Sequence, residues 1–289
     1  MMYGTIMAKL EFYTPFIGDE EAQEILSFAK QADFTKGTRG GTAHYLPFDD
    51  WYGVLYSNVF RTISPENFKN TMNEVWRLFE NGKKVAPVVG FARASDGGGV
   101  DNVYRKDREK KRDYVFVTHA AGLRLNDLYG YSKPVDKVRE RLQGPEAYYN
   151  DVVDTFLSIL MDSCIRPDIS APNTIYQLVS GFNFVDFNHN NLNTKVNIGQ
   201  YYKHHVADFL KAFVFSEGNK DSRENKGGRR RRFFPDEQDR QEYRAVAAQE
   251  LGLLVGKLYK NGISEEHIDY GLKLTGFYDI AKSALQLMC

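Results

Sequence analysis

The chain has 289 residues, 42% of them hydrophobic and 14% aromatic, so it can bury a sizeable core and is not intrinsically disordered. Its 38 basic and 38 acidic residues cancel, which excludes polyanion binding through overall charge. Two cysteines, Cys164 and Cys289, are too few for a disulfide framework and point to a reducing compartment.

Met1 to Met7 lacks a charged region followed by an apolar one, so no signal peptide is expected. No apolar run approaches the ~20 residues that span a bilayer, so no membrane partner is expected. The sequence reads as intracellular, cytoplasmic or nuclear, with the inside of a virion as a further location.

Helical signals come first. Asp19-Glu20-Glu21 opens a helix whose inner face is Ala22, Ile25, Leu26 and Ala29. Ser64-Pro65-Glu66 supplies a hydroxyl cap, a first-turn proline and an acid. The helix it starts should bury Phe68, Met72, Val75, Trp76 and Phe79 and stop at Asn81-Gly82. The period then changes. Val85 to Arg93 and Asp113 to Thr118 are β-branched and apolar, and predict a hairpin with a long loop. Asp96-Gly97-Gly98-Gly99 in that loop fails the phosphate-loop spacings and reads as a hinge, and Thr38-Arg39-Gly40-Gly41-Thr42 reads as a turn.

Beyond Lys133 the pattern is helical. Pro134 to Leu142 is one helix, and Tyr149, Val152, Val153, Phe156, Leu157, Leu160 and Cys164 mark the next. Asn173 to Val179 is expected to be short and helical. Ile198 to Phe213 carries a long apolar stripe. A helix starting at Pro235 runs through Tyr243, Val246, Leu251 and Leu258 to Asn261-Gly262, and Ser264-Glu265-Glu266 opens a last one extending to Leu285. The expected fold class is mainly α: a helical two-lobe protein with a small β-hairpin element in the N-terminal half. Residues 1–132 would form the mixed lobe and 133–289 an all-helical lobe, with a single domain as the alternative.

The functional signal is basic and local. From Arg223 to Phe234, six positive side chains (Arg223, Lys226, Arg229, Arg230, Arg231 and Arg232) face one acid, Glu224. Guanidinium suits phosphate because its planar fork donates two parallel hydrogen bonds and stays charged. Phe233 and Phe234 follow as stacking candidates. A second segment holds Arg105, Lys106, Arg108, Lys110, Lys111 and Arg112 against Asp107, Glu109 and Asp113. Loops with aromatics suit a single strand better than a duplex, which is normally read by a rigid element in a groove. The expected function is therefore a non-sequence-specific nucleic-acid-binding structural protein, nucleoprotein or filament coat-like. It would bind single-stranded nucleic acid, RNA ahead of DNA, and self-assemble into an oligomer or filament. The basic loop could instead be solvated, or dock an acidic partner or import receptor in an adaptor or scaffold. A third alternative is a metal- or His-dependent hydrolase using Asp186, His189, His204 and Asp208, of which His204 and Asp208 share a helix face. His205 falls on the apolar stripe and reads as a core histidine. No cofactor, resident metal or catalytic residue is assigned.

Overall fold

The structure, a computed structural model, describes residues 8–13, 17–31, 43–48, 51–57, 65–86, 88–94, 113–118, 123–125, 134–162, 165–167, 169–185, 187–189, 198–214, 237–279 and 282. The chain divides into two compact units, Met1–Asn81 with Ala86–Ala120, and Gly82–Val85 with Ala121–Cys289. The protein is mainly helical, with seven α-helices among the described residues.

The first unit contains β1 (Ala8–Tyr13), α1 (Asp19–Gln31), β2 (Ala43–Phe48), β3 (Trp51–Ser57), α2 (Pro65–Glu80), β4 (Val88–Ala94) and β5 (Asp113–Thr118). The expected hairpin is present: β4 and β5 pair antiparallel from Val88↔Val117 to Arg93↔Asp113. They are the second and third strands of a five-stranded sheet in the order β1-β4-β5-β3-β2, antiparallel throughout. Breakers interrupt two of the other three strands. Pro47 sits in β2, which lies at the sheet edge where a missing N–H is tolerated, and Gly53 sits in β3.

Ile17, Ala22, Ile25 and Leu26 are buried at α1, as its period requires. In α2, Thr71, Met72, Val75, Trp76 and Leu78 are buried. Phe79, expected inside, is 46% exposed and meets Trp76 edge to face at 5.4 Å. The stop at Asn81-Gly82 is borne out. The Asn81 amide donates to the Arg77 carbonyl at 2.8 Å, and Gly82 takes φ 73°, which a side chain would resist.

The second unit contains β6 (Leu123–Arg124), α3 (Pro134–Leu142), α4 (Glu146–Asp162), β7 (Ile165–Pro167), a 3₁₀ turn (Ala171–Asn173), β8 (Thr174–Gln177), β9 (Gly181–Phe184), β10 (Phe187–His189), α5 (Ile198–Phe213), α6 (Glu237–Lys260) and α7 (Glu265–Thr275). Two expectations need correction. The stretch from 133 is not wholly helical, since four short strands lie within it. Asn173–Val179 is not a helix: the chain leaves one 3₁₀ turn at Asn173 and becomes a strand through Thr174, Ile175 and Tyr176, residues that pack well on a pleated surface. Gly181 (φ 76°) lets this strand fold back on β9, and a Cβ there would stand 2.6 Å from the Tyr148 ring. The Tyr148 hydroxyl donates to the Leu178 and Val179 carbonyls at 3.1 and 2.7 Å, holding the turn. The last helix is also shorter than expected. It ends at Thr275, where Gly276 (φ 77°) caps it in the left-handed conformation.

Aromatic rings make much of this unit's core. Phe156 on α4 stacks on Phe209 of α5 at 4.3 Å, and Phe209 meets Phe213 at 5.2 Å and Phe184 at 6.3 Å. Phe182 joins Tyr149, Tyr176 and Phe213 at 4.9–5.3 Å. Strand β9 is thereby clamped in the core through Phe182 and Phe184, both buried.

Candidate functional site

The arginine run Arg229 to Arg232, its neighbours Arg223 and Lys226, the stacking candidates Phe233 and Phe234, and the second basic segment Arg105, Lys106, Lys110, Lys111 and Arg112 all lie outside the described residues. Among the hydrolase candidates, Asp186 also lies outside them, and His189 closes strand β10. His204 and Asp208 occupy one face of α5 but are engaged elsewhere. The Tyr270 hydroxyl is 3.2 Å from His204 Nδ1, with the two rings edge to face at 5.3 Å. Lys211 donates to Asp208 at 3.1 Å. Among the described residues no group of three His, Cys, Asp or Glu side chains is placed to hold a metal ion. No described helix is long and apolar enough to cross a membrane.

A different part of the second unit gathers chemistry. β7 and β10 pair antiparallel, His189 opposite Ile165, Asn188 opposite Arg166 and Phe187 opposite Pro167. Asp168 and Asp186, which adjoin these strands in sequence, lie outside the described residues. Asn173 ends the 3₁₀ turn five residues after Asp168. Its backbone N–H donates to the Ser170 carbonyl, and its carbonyl accepts from the Val185 N–H, both at 2.9 Å. Val185 immediately precedes Asp186. One backbone hydrogen bond therefore ties the residue carrying a carboxamide to the residue next to a carboxylate. Ile169, Thr174, Phe182 and Phe184 are buried around this link and fix the backbone on each side.

Oxygen donors from two aspartates and an asparagine are the ligand type that a hard divalent cation takes. In the sequence, Asn173 follows Asp168 by five residues and Asp186 follows Asn173 by thirteen.

No protein-family model matches the chain, and no curated protein matches it. Among solved structures, the chain is similar to the pseudokinase domain of BIR2, an immune regulator of the RLK/Pelle family, with a TM-score of 0.48 and 11% identity. That alignment covers 98% of this chain and 91% of the other. A likeness of this degree assigns neither fold nor activity.

Proposed function

We propose that the second unit binds a nucleoside triphosphate together with a divalent cation, through Asp168, Asn173 and Asp186. The observation that carries this is the spacing of the three residues in the sequence, with the Asn173–Val185 hydrogen bond beside it. The spacing resembles the protein-kinase pattern, in which an Asp-x-x-x-x-Asn loop and an Asp-Phe-Gly segment act together. By that resemblance Asn173 and Asp186 would hold the cation against the phosphates, and Asp168 would orient an acceptor hydroxyl. This chain departs from the pattern at several points. Pro167 stands where arginine precedes the first aspartate, and Asn188 replaces the glycine. Trp51–Ser57, the strand ahead of α2, contains no lysine to orient phosphates. These departures remove parts needed for transfer, so the proposal is for binding and does not extend to phosphoryl transfer.

The test is equilibrium binding of a fluorescent ATP analogue to the full chain, titrated with Mn²⁺. Wild type should bind in a cation-dependent way. Asp186→Asn and Asn173→Ala should each weaken that dependence at least about 10-fold, the lower end of what losing even an outer-shell partner costs a metal site. Wild-type protein that binds no nucleotide with or without cation overturns the proposal.

A second function is supported by a separate observation, the concentration of arginine at Arg229 to Arg232 in a chain of zero net charge. There the arginines would neutralise the phosphates of a single strand, RNA ahead of DNA, with Arg105, Lys106, Lys110, Lys111 and Arg112 in support and self-assembly along the strand. Four phosphate contacts predict a log–log salt slope of roughly −3 for single-stranded oligonucleotide. Replacing the four arginines with alanine should flatten it. An affinity that ignores salt, or survives the replacement, overturns this reading and leaves an acidic protein partner for the loop.

A further inference from the structure

Of the six methionines in the chain, Met72 and Met161 lie among the described residues. Met72 is fully buried in α2, whereas Met161, in the last turn of α4, is 69% exposed. The Tyr202 hydroxyl of α5 donates to Met161 Sδ at 3.7 Å. The Tyr202 ring in turn lies 5.4 Å from the ring of His267, in the first turn of α7. Sulfur is a weak acceptor, so the Tyr202–Met161 bond ties the end of α4 to α5 only loosely. The firmer contact between those helices comes earlier on α4, where Phe156 stacks on Phe209 at 4.3 Å. Burial pushes the Tyr202 hydroxyl above its ordinary pKa, so it keeps its proton and remains a donor at neutral pH.

We propose that Met161 is a modification site: a hydroperoxide oxidises it to the sulfoxide, and the new oxygen takes over the Tyr202 hydrogen bond. The sulfur lone pair attacks the terminal peroxide oxygen, and the O–O bond breaks as the S–O bond forms. The rest of the peroxide leaves as water or an alcohol, taking the proton from the transferred oxygen. Sulfur loses two electrons and the peroxide gains them. A strong acceptor thus replaces a weak one on a side chain that already meets a donor. The added oxygen lies between sulfur and hydroxyl, and the unbranched Met161 side chain can draw back until the O–H···O distance is about 2.7 Å. At a buried methionine such as Met72, oxidation puts a polar group into an apolar site and disrupts packing. At Met161 the sign is reversed, and the modification fastens the end of α4 to α5. The change is reversible, because reductases specific for each sulfoxide epimer remove the oxygen.

The test treats the full chain with graded doses of hydrogen peroxide and reads it by peptide mass mapping and amide hydrogen exchange. Met161 should gain one oxygen at doses that leave Met72 unmodified in the folded protein. Exchange in the last turn of α4 should then slow about 5-fold, the effect of one net hydrogen bond on local opening. Methionine sulfoxide reductases of both epimer specificities, added together, should restore the original rate. Tyr202→Phe keeps the ring and removes the donor. It should take up the oxygen as wild type does and show no slowing. Met161→Leu should show neither the oxygen nor the slowing. Met161 that resists doses at which Met72 reacts overturns the modification site. Exchange that is unchanged or faster on oxidation, or that slows equally in Tyr202→Phe or Met161→Leu, overturns the hydrogen bond to Tyr202.

Discussion

Replacing Glu250 with alanine is expected to destabilise the second unit by about 3–5 kcal/mol, the cost of stranding one member of a buried ion pair. Glu250 on α6 and Arg141 on α3 have side chains with 0% exposure. Arg141 Nε donates to one carboxylate oxygen at 2.7 Å and Nη2 to the other at 2.6 Å. The Tyr149 hydroxyl donates to Glu250 at 2.9 Å, and Arg141 Nη2 approaches the Phe213 carbonyl at 3.5 Å. Burial, followed by the neighbouring Glu250 charge, pushes the Tyr149 hydroxyl well above its ordinary pKa, so it remains a donor at any working pH. Alanine at 250 would remove the carboxylate that pairs with the Arg141 guanidinium and accepts from the Tyr149 hydroxyl. Urea unfolding of Glu250→Ala should show the loss. The double variant Arg141→Met with Glu250→Leu should recover most of it, because the pair gains little over apolar packing once both desolvation costs are removed. A single variant within 1 kcal/mol of wild type would mean that water reaches this pair.

Phe209→Ala should cost about as much, roughly 3–5 kcal/mol, for a different reason. The ring is fully buried and stacks on Phe156 at 4.3 Å and 11° while also meeting Phe213 and Phe184. Its removal leaves a cavity that three other rings border, and none can fill it without leaving its own contacts. Because Phe156 and Phe209 share that volume, the double alanine variant should cost less than the two single variants together. Phe79, half-exposed, is the control: its alanine variant should stay within about 0.5 kcal/mol. Calorimetric melting of the four proteins checks all three statements, and strict additivity of Phe156 and Phe209 would contradict the shared packing.

Much of the helical half was legible because helix signals are local. Proline and acid at the start of α2, Asn81-Gly82 at its end, and the Pro134 to Leu142 stretch each declare a boundary within a few residues. Strands β4 and β5 declared themselves through the apolar runs around Val88-Val89 and Tyr114-Val115-Phe116-Val117. The remaining strands stayed hidden. A run such as Thr174–Gln177 or Ile165–Pro167 is too short to show a period. Arg141 and Glu250 are 109 residues apart, and nothing in either neighbourhood marks them as partners.

The strap at Gly82–Val85 has a consequence for how the protein can be made and cut. The second unit borrows four residues that precede most of its length, so no single cleavage releases it whole. A fragment beginning at Ala121 would lack the acceptor for the Phe184 N–H and the donor for Thr155, and would present the edge of β9 to other chains. During synthesis the strap emerges early and waits for its partners around residues 151–155 and 184. Completion of the second unit therefore depends on a long loop closure rather than on its own contiguous sequence.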